Sequence, residues 1–154
     1  MVNKVKKLIQ LHGTNDPFRI ASMRNILVLY EYLGKSTWGY FSCVNRIPII
    51  HLHELMKEAQ SRFTCAHELA HALLHPKVNT PYLKAHTLQS IDKVEREANQ
   101  FAVELLIPDH ILLEGFSVYD AAVVCGVPGE VAHLKSKPEP KSGFWSNEDS
   151  FINL

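Results

Sequence analysis

An α+β fold is predicted by three features of the sequence. β-rich runs gather between residues 26 and 53, two long helical patterns follow them, and prolines end both patterns. In this reading a small antiparallel three-stranded sheet lies beside the first long helix, the second long helix packs against the first, and short helices close the C-terminal end. A chain of 154 residues suits one domain with a real core. That domain is expected over residues 1–136, with 137–154, rich in Lys, Ser and Pro, as a mobile tail. Hydrophobic residues make up 46% and charged residues 21%, an ordinary balance for a folded protein and the wrong one for wholesale disorder.

The elements follow in order. Val5, Leu8 and Ile9 recur at helical spacing among Lys4, Lys6 and Lys7, so an amphipathic helix spans about Val2 to His12 and is closed by Gly13. The lysines form its solvated face. Asp16-Pro17 is a cap followed by proline at the first helical position and opens a short helix toward Met23. The runs Ile26 to Tyr32, Thr37 to Val44 and Ile47 to His53, punctuated by Gly34-Lys35 and Asn45-Arg46, read as an antiparallel meander. Pro48 cannot donate a ladder hydrogen bond, so the third run is an edge strand or begins at that residue. An edge there would either hold an extended substrate through main-chain hydrogen bonds or simply close the sheet. From Glu58 to Leu74 the stripe Phe63, Ala66, Ala70 and Leu73 marks a helix ended by Pro76. Residues 78–90 show no period and read as loop. The second long helix runs from about Ile91 to Ile107 and stops at Pro108. His110 to Gly115, Val118 to Cys125 and Gly129 to Leu134 are short helices around a glycine turn at Gly126.

Composition excludes several functions. Lys plus Arg equals Asp plus Glu at 16 each, so no global field draws the protein onto nucleic acid or an anionic membrane. Cys43, Cys65 and Cys125 are odd in number and lack C-x-x-C spacing, which argues against a disulfide framework and a cysteine zinc site. The N-terminus has no apolar region behind its charges, and no stretch approaches the roughly 20 apolar residues of a membrane span. A cytoplasmic location is therefore expected.

Chemistry is concentrated in RFTCAHELAHALLHP, where His67-Glu68-Leu69-Ala70-His71 forms an H-E-x-x-H on the first long helix. Imidazoles four residues apart project from one face and can reach a single zinc ion at about 2.0–2.1 Å. Glu68, about 100° round the helix from His67, is placed to touch a water beside that ion rather than to ligate it. Such a carboxylate can take a proton from the attacking water and return it to the leaving amine of a peptide. The motif alone would arise by chance in roughly a few per cent of such chains; its place in an alanine-rich helix, followed by another helix with an inward carboxylate, is what gives it weight. In that second helix Ala98, Ala102, Leu105 and Leu106 share an arc with Glu95, while Glu97 falls on the far side with Glu104. Glu95 is thus the expected third ligand. Asn99, one turn on, is placed to hydrogen-bond a ligating histidine and fix its tautomer.

RFTCAHELAHALLHP followed by VEREANQFAVELLIP resembles the ImmA/IrrE family of metallopeptidases, over about Asn25 to Leu134. The second segment, of the form E-x-x-A-x-x-F-A with Glu95 as its first residue, is the more specific of the two. The resemblance implies a gluzincin-like fold, with a small antiparallel sheet beside the H-E-x-x-H helix and a glutamate from the next helix completing a zinc site. It also implies a substrate, because characterised members of the family cut a helix-turn-helix repressor in bacteria and mobile elements and so switch genes on. Some members carry a separate helix-turn-helix or a GAF-like sensor domain, and this chain has no room for the sensor.

Other candidates have simpler readings. His75, just before Pro76, suits a helix C-terminus or simple exposure. His51 and His53 share one face of a strand and read as surface or satisfied polar residues. An oxyanion stabiliser is needed for hydrolysis through a tetrahedral intermediate, and Tyr82 and His86, or Tyr40, are the candidates. VYDAAVVCGVPGEVAHLK resembles a helix-turn-helix unit but offers only His133 before Lys135, so direct nucleic-acid binding is not expected. The function expected is a zinc endopeptidase acting on a specific cytoplasmic protein, a helix-turn-helix repressor of a mobile element or stress operon. The alternative is a non-catalytic regulator that sequesters a repressor by binding.

Overall fold

The first helix, α1 (Val2–His12), buries Val5 and Leu8 and ends where Gly13 turns left-handed (φ 66°) and donates its N–H to Ile9. Helix α2 (Pro17–Met23) begins as its cap requires, with the Asp16 carboxylate accepting from the Phe18 N–H at 3.0 Å. The computed structural model describes residues 1–77 and 88–138, apart from the side chains of residues 88–91. Most of the region expected as loop over 78–90, and the expected tail from residue 139 on, lie outside the described residues.

Strands β1 (Leu27–Glu31), β2 (Gly39–Val44) and β3 (Ile47–His53) form one sheet in the order β1-β3-β2. β2 and β3 are an antiparallel hairpin whose two-residue turn has positive φ at both Asn45 (51°) and Arg46 (67°). β1, however, pairs parallel with β3, from Leu27↔Ile49 to Glu31↔His53. The sheet is therefore mixed, which corrects the antiparallel meander. Gly34-Lys35 is no hairpin turn: residues 32–38 carry the chain past the place β3 later fills, a gap of about 9.6 Å at the usual strand spacing. β3 is accordingly central and not an edge, so the substrate edge expected at Ile47–His53 does not exist. Pro48 is tolerated there because pairing with β1 starts only at Ile49, beyond the missing N–H.

One face of the sheet is core. Phe41, Ile50 and Leu52 are fully buried, and helix α3 (Glu58–Leu74) contributes Cys65, Ala66, Leu69 and Ala70, with Phe63 and Leu73 partly buried beside them. The approach is close: a Cβ on Gly39 would lie 2.6 Å from Thr64 Cγ2 and 3.0 Å from the His51 carbonyl oxygen. Helix α4 (Leu88–Leu106) starts three residues before the predicted Ile91, packs along α3, and buries Ala98, Phe101, Ala102, Val103, Leu105 and Leu106. Helices α5 (Asp109–Leu113), α6 (Val118–Cys125) and α7 (Gly129–Ala132) follow as short elements. The side of α4 opposite the α3 contact is not left to solvent. Glu104 is buried there, its carboxylate accepting from Lys135 Nζ at 2.8 Å and from the Ser136 N–H at 2.8 Å. Lys135 Nζ also donates to Asp109 at 2.7 Å, and Lys6 reaches the other Asp109 oxygen at 3.0 Å. Among the described residues no helix is long and apolar enough to cross a membrane.

Candidate active site

α3 and α4 bring the predicted residues to one point. Helical spacing puts the His67 and His71 rings edge to face, their centroids 4.8 Å apart, and their Nε2 atoms meet at 3.1 Å. Glu95 reaches across from α4, with Oε2 3.1 Å from His67 Nε2 and Oε1 3.5 Å from His71 Nε2. One ligand atom from each of the three residues lies within 4.8 Å of the others. His71 is almost fully enclosed, with a side chain 1% exposed, while Glu95 at 36% forms the open side of the cluster.

Asn99 sits where one turn of helix past Glu95 should place it, its Oδ1 2.9 Å from His67 Nδ1. An amide oxygen only accepts, so Nδ1 carries a ring proton, and in the neutral ring it is the Nε2 lone pair that points into the cluster. Burial would lower the His67 pKa, but the Glu95 hydrogen bond, the Glu68 and Glu95 charges and Asn99 together outweigh it and raise the value. His71 is pushed down to about 4, first by burial and then by the positive charge of His67. Two converging imidazole nitrogens and a carboxylate oxygen, with one tautomer already fixed, are a donor set that fits zinc. Glu68, next along α3, is 5% exposed, and its charge is felt at His67.

The remaining candidates separate from this group. Glu97 is not in the cluster, nor does it point to free solvent: its Oε2 lies 3.3 Å from His75 Nε2, tying the end of α3 to α4. Glu104, on the far side of α4 as periodicity expects, is buried under Lys135, because periodicity shows which stripe faces α3 and not what covers the other flank. Tyr40 lies flat on His51, centroids 4.2 Å apart, on the sheet face turned away from α3. It is therefore no neighbour of the cluster. Tyr82 and His86 lie outside the described residues. His53 is satisfied on both ring nitrogens, at 2.9 Å from the Gly34 carbonyl oxygen and 3.1 Å from the Leu55 N–H. His51 is held between Glu31 and Ser42, two partners the sequence could not supply because they depend on the strand order.

A helical H-E-x-x-H joined by a carboxylate from the following helix, beside a small sheet, is a centre of the metallopeptidase type. Residues 21–133 match the model of the Peptidase_M78 family, described as the IrrE N-terminal-like domain. The chain is 42% identical over 142 residues to "Uncharacterized immunity region protein 2" of Bacillus phage phi105, covering 90% of each. It is 31% identical over 141 residues to "Metallopeptidase ImmA" of Bacillus subtilis (strain 168), covering 86% of this chain and 82% of that one. The chain belongs to the ImmA/IrrE family of metallopeptidases.

Proposed function

We propose that the chain is a zinc-dependent endopeptidase that cuts one specific cytoplasmic protein, a helix-turn-helix repressor, with residues 1–136 as its catalytic unit. The observation that carries this reading is the convergence of His67, His71 and Glu95 with Glu68 buried beside them. The two imidazoles would hold the metal through Nε2 and Glu95 through its carboxylate, while Asn99 keeps the His67 ring turned the right way. Zinc, when bound, polarises a carbonyl and makes a water more acidic. Glu68 receives the proton released as water adds to the scissile carbonyl and returns it to the departing amine. A general base is of no use to a purely structural site, which favours the enzyme over the non-catalytic regulator.

The substrate class rests on the family resemblance and on the relative whose name places it in a phage immunity region. A direct DNA-binding role is disfavoured by the C-terminal helices. Lys135, their nearest lysine, has a side chain 2% exposed and is committed to Glu104 and Asp109. The test is cleavage of the repressor encoded beside the gene by zinc-loaded protein, compared with Glu68→Gln. A single cut by the wild type, and none by a variant that keeps its zinc, is expected. Undiminished cutting by Glu68→Gln would remove Glu68 from the mechanism, and zinc loss in that variant would make it a ligand. Digestion of unrelated unfolded proteins with the repressor untouched would overturn the substrate.

A further inference from the structure

The sheet gathers a second set of chemistry-bearing side chains on the face turned away from α3. Ile50 and Leu52 point into the core, so alternation along β3 turns His51 to the opposite side. Because β3 is central, both neighbouring strands reach that imidazole on diagonals. β1 pairs Leu29 with His51 and brings Glu31, two residues on, to one side; β2 pairs Tyr40 with His51 and brings Ser42 to the other.

The proton order is fixed by the partners. His51 Nδ1 bonds the Glu31 carboxylate, which only accepts, so that nitrogen carries the ring proton. Nε2 is then the lone-pair nitrogen, and the 2.9 Å contact to Ser42 Oγ is the serine O–H donating to it. The Tyr40 ring lies over the imidazole at an interplanar angle of 9°, and the His51 side chain is only 12% exposed. Carboxylate, imidazole and hydroxyl in this order are the arrangement that activates a serine as nucleophile. β2 is an outer strand, and alternate backbone N–H groups along such a strand face away from the ladder, where they can meet developing oxyanion charge.

The geometry points to a second reactive centre in which Ser42 accepts an acyl group from small activated esters, with His51 as base and Glu31 orienting it. Ser42 Oγ bonds the acyl carbon and its proton passes to His51 Nε2. The bond from that carbon to the leaving oxygen breaks, and the alcohol departs with the proton, leaving an acyl ester on Ser42. No oxidant or metal enters this balance. The centre is separate from the peptidase reading, so either can fail without the other.

The experiment uses the full chain carrying Glu68→Gln, which removes the base of the H-E-x-x-H helix from the reaction, and p-nitrophenyl acetate as the probe. Nitrophenolate release is followed alongside peptide mass spectrometry. One acetyl group per chain on Ser42 is expected, formed with a burst of nitrophenolate. Ser42→Ala should abolish the burst, and His51→Ala should slow acylation about 100-fold or more, the usual worth of a positioned base. Glu31→Gln, which leaves the imidazole in place, should slow it measurably and decides the matter if His51→Ala does not fold. Acetyl groups confined to lysines, a burst that survives Ser42→Ala, or an unchanged rate in Glu31→Gln would overturn the proposal.

Discussion

Replacing Lys135 with methionine tests how the C-terminal end is held to the rest of the chain. Its side chain and that of Glu104 are each 2% exposed, so the variant strands a buried carboxylate. Removing one partner of such a pair costs about 3–5 kcal/mol. The lower end applies, because Glu104 keeps the Ser136 N–H at 2.8 Å and Asp109 keeps Lys6 at 3.0 Å. At about 2–4 °C per kcal/mol for a chain of this size, the melting temperature should fall by roughly 6–12 °C. The double variant Glu104→Met/Lys135→Met should lose less than the single one, since apolar residues can replace a buried pair; Asp109 loses Lys135 in both variants, and the double adds only the loss of the Ser136 N–H acceptor, at about 1–3 kcal/mol. Thermal and urea unfolding followed by circular dichroism measure both. A Lys135→Met loss below about 1 kcal/mol, or a double variant less stable than the single, would refute the argument.

Glu95→Gln should weaken zinc binding at least about tenfold in chelator competition, whereas Glu97→Gln, which touches only the His75 contact, should leave it near wild type. Equal losses would show that the wrong carboxylate has been chosen. Asn99→Leu removes the acceptor at His67 Nδ1 and should cost about 10–100-fold in zinc affinity; an unchanged affinity would mean the tautomer is fixed in another way. Asp109 supplies a pH test. Burial pushes its pKa up, but the hydrogen bonds and charges of Lys135 and Lys6 outweigh that and hold it below the ordinary 3.8. The folded value lies below the unfolded one, so this contribution is complete above pH 3.8 and fades as pH falls through the folded value. The stability gap between wild type and Asp109→Asn should therefore narrow below about pH 4, and a gap that widens there would reverse the sign.

The His67–His71–Glu95 cluster is more legible in the sequence than the sheet that supports it. His67, Glu68 and His71 are fixed relative to one another by helical geometry alone. Glu95 could be chosen over Glu97 because Ala98, Ala102 and Leu105 report which flank of α4 is buried. The tight turn at Asn45-Arg46 is legible because its signal is local. The parallel pairing of β1 with β3 was not legible, because all three runs are β-rich and nothing within any of them states its neighbour. Glu104 and Lys135 stand 31 residues apart, and periodicity along α4 carries no information about an element that later folds over its other flank. The Glu31–His51–Ser42 set was hidden for the same reason as the strand order, on which it depends.

Gly39 has a mechanical consequence for the His67–His71–Glu95 cluster. A side chain there would collide with Thr64 at 2.6 Å, so β2 rests directly on α3 and acts as a hard stop for the helix. Thr64 lies three residues before His67, just under one helical turn, so a displacement at this stop is transmitted to the turn that carries the first histidine. At residue 39 the strand backbone meets the Thr64 methyl directly, and the space between them is smaller than one carbon atom.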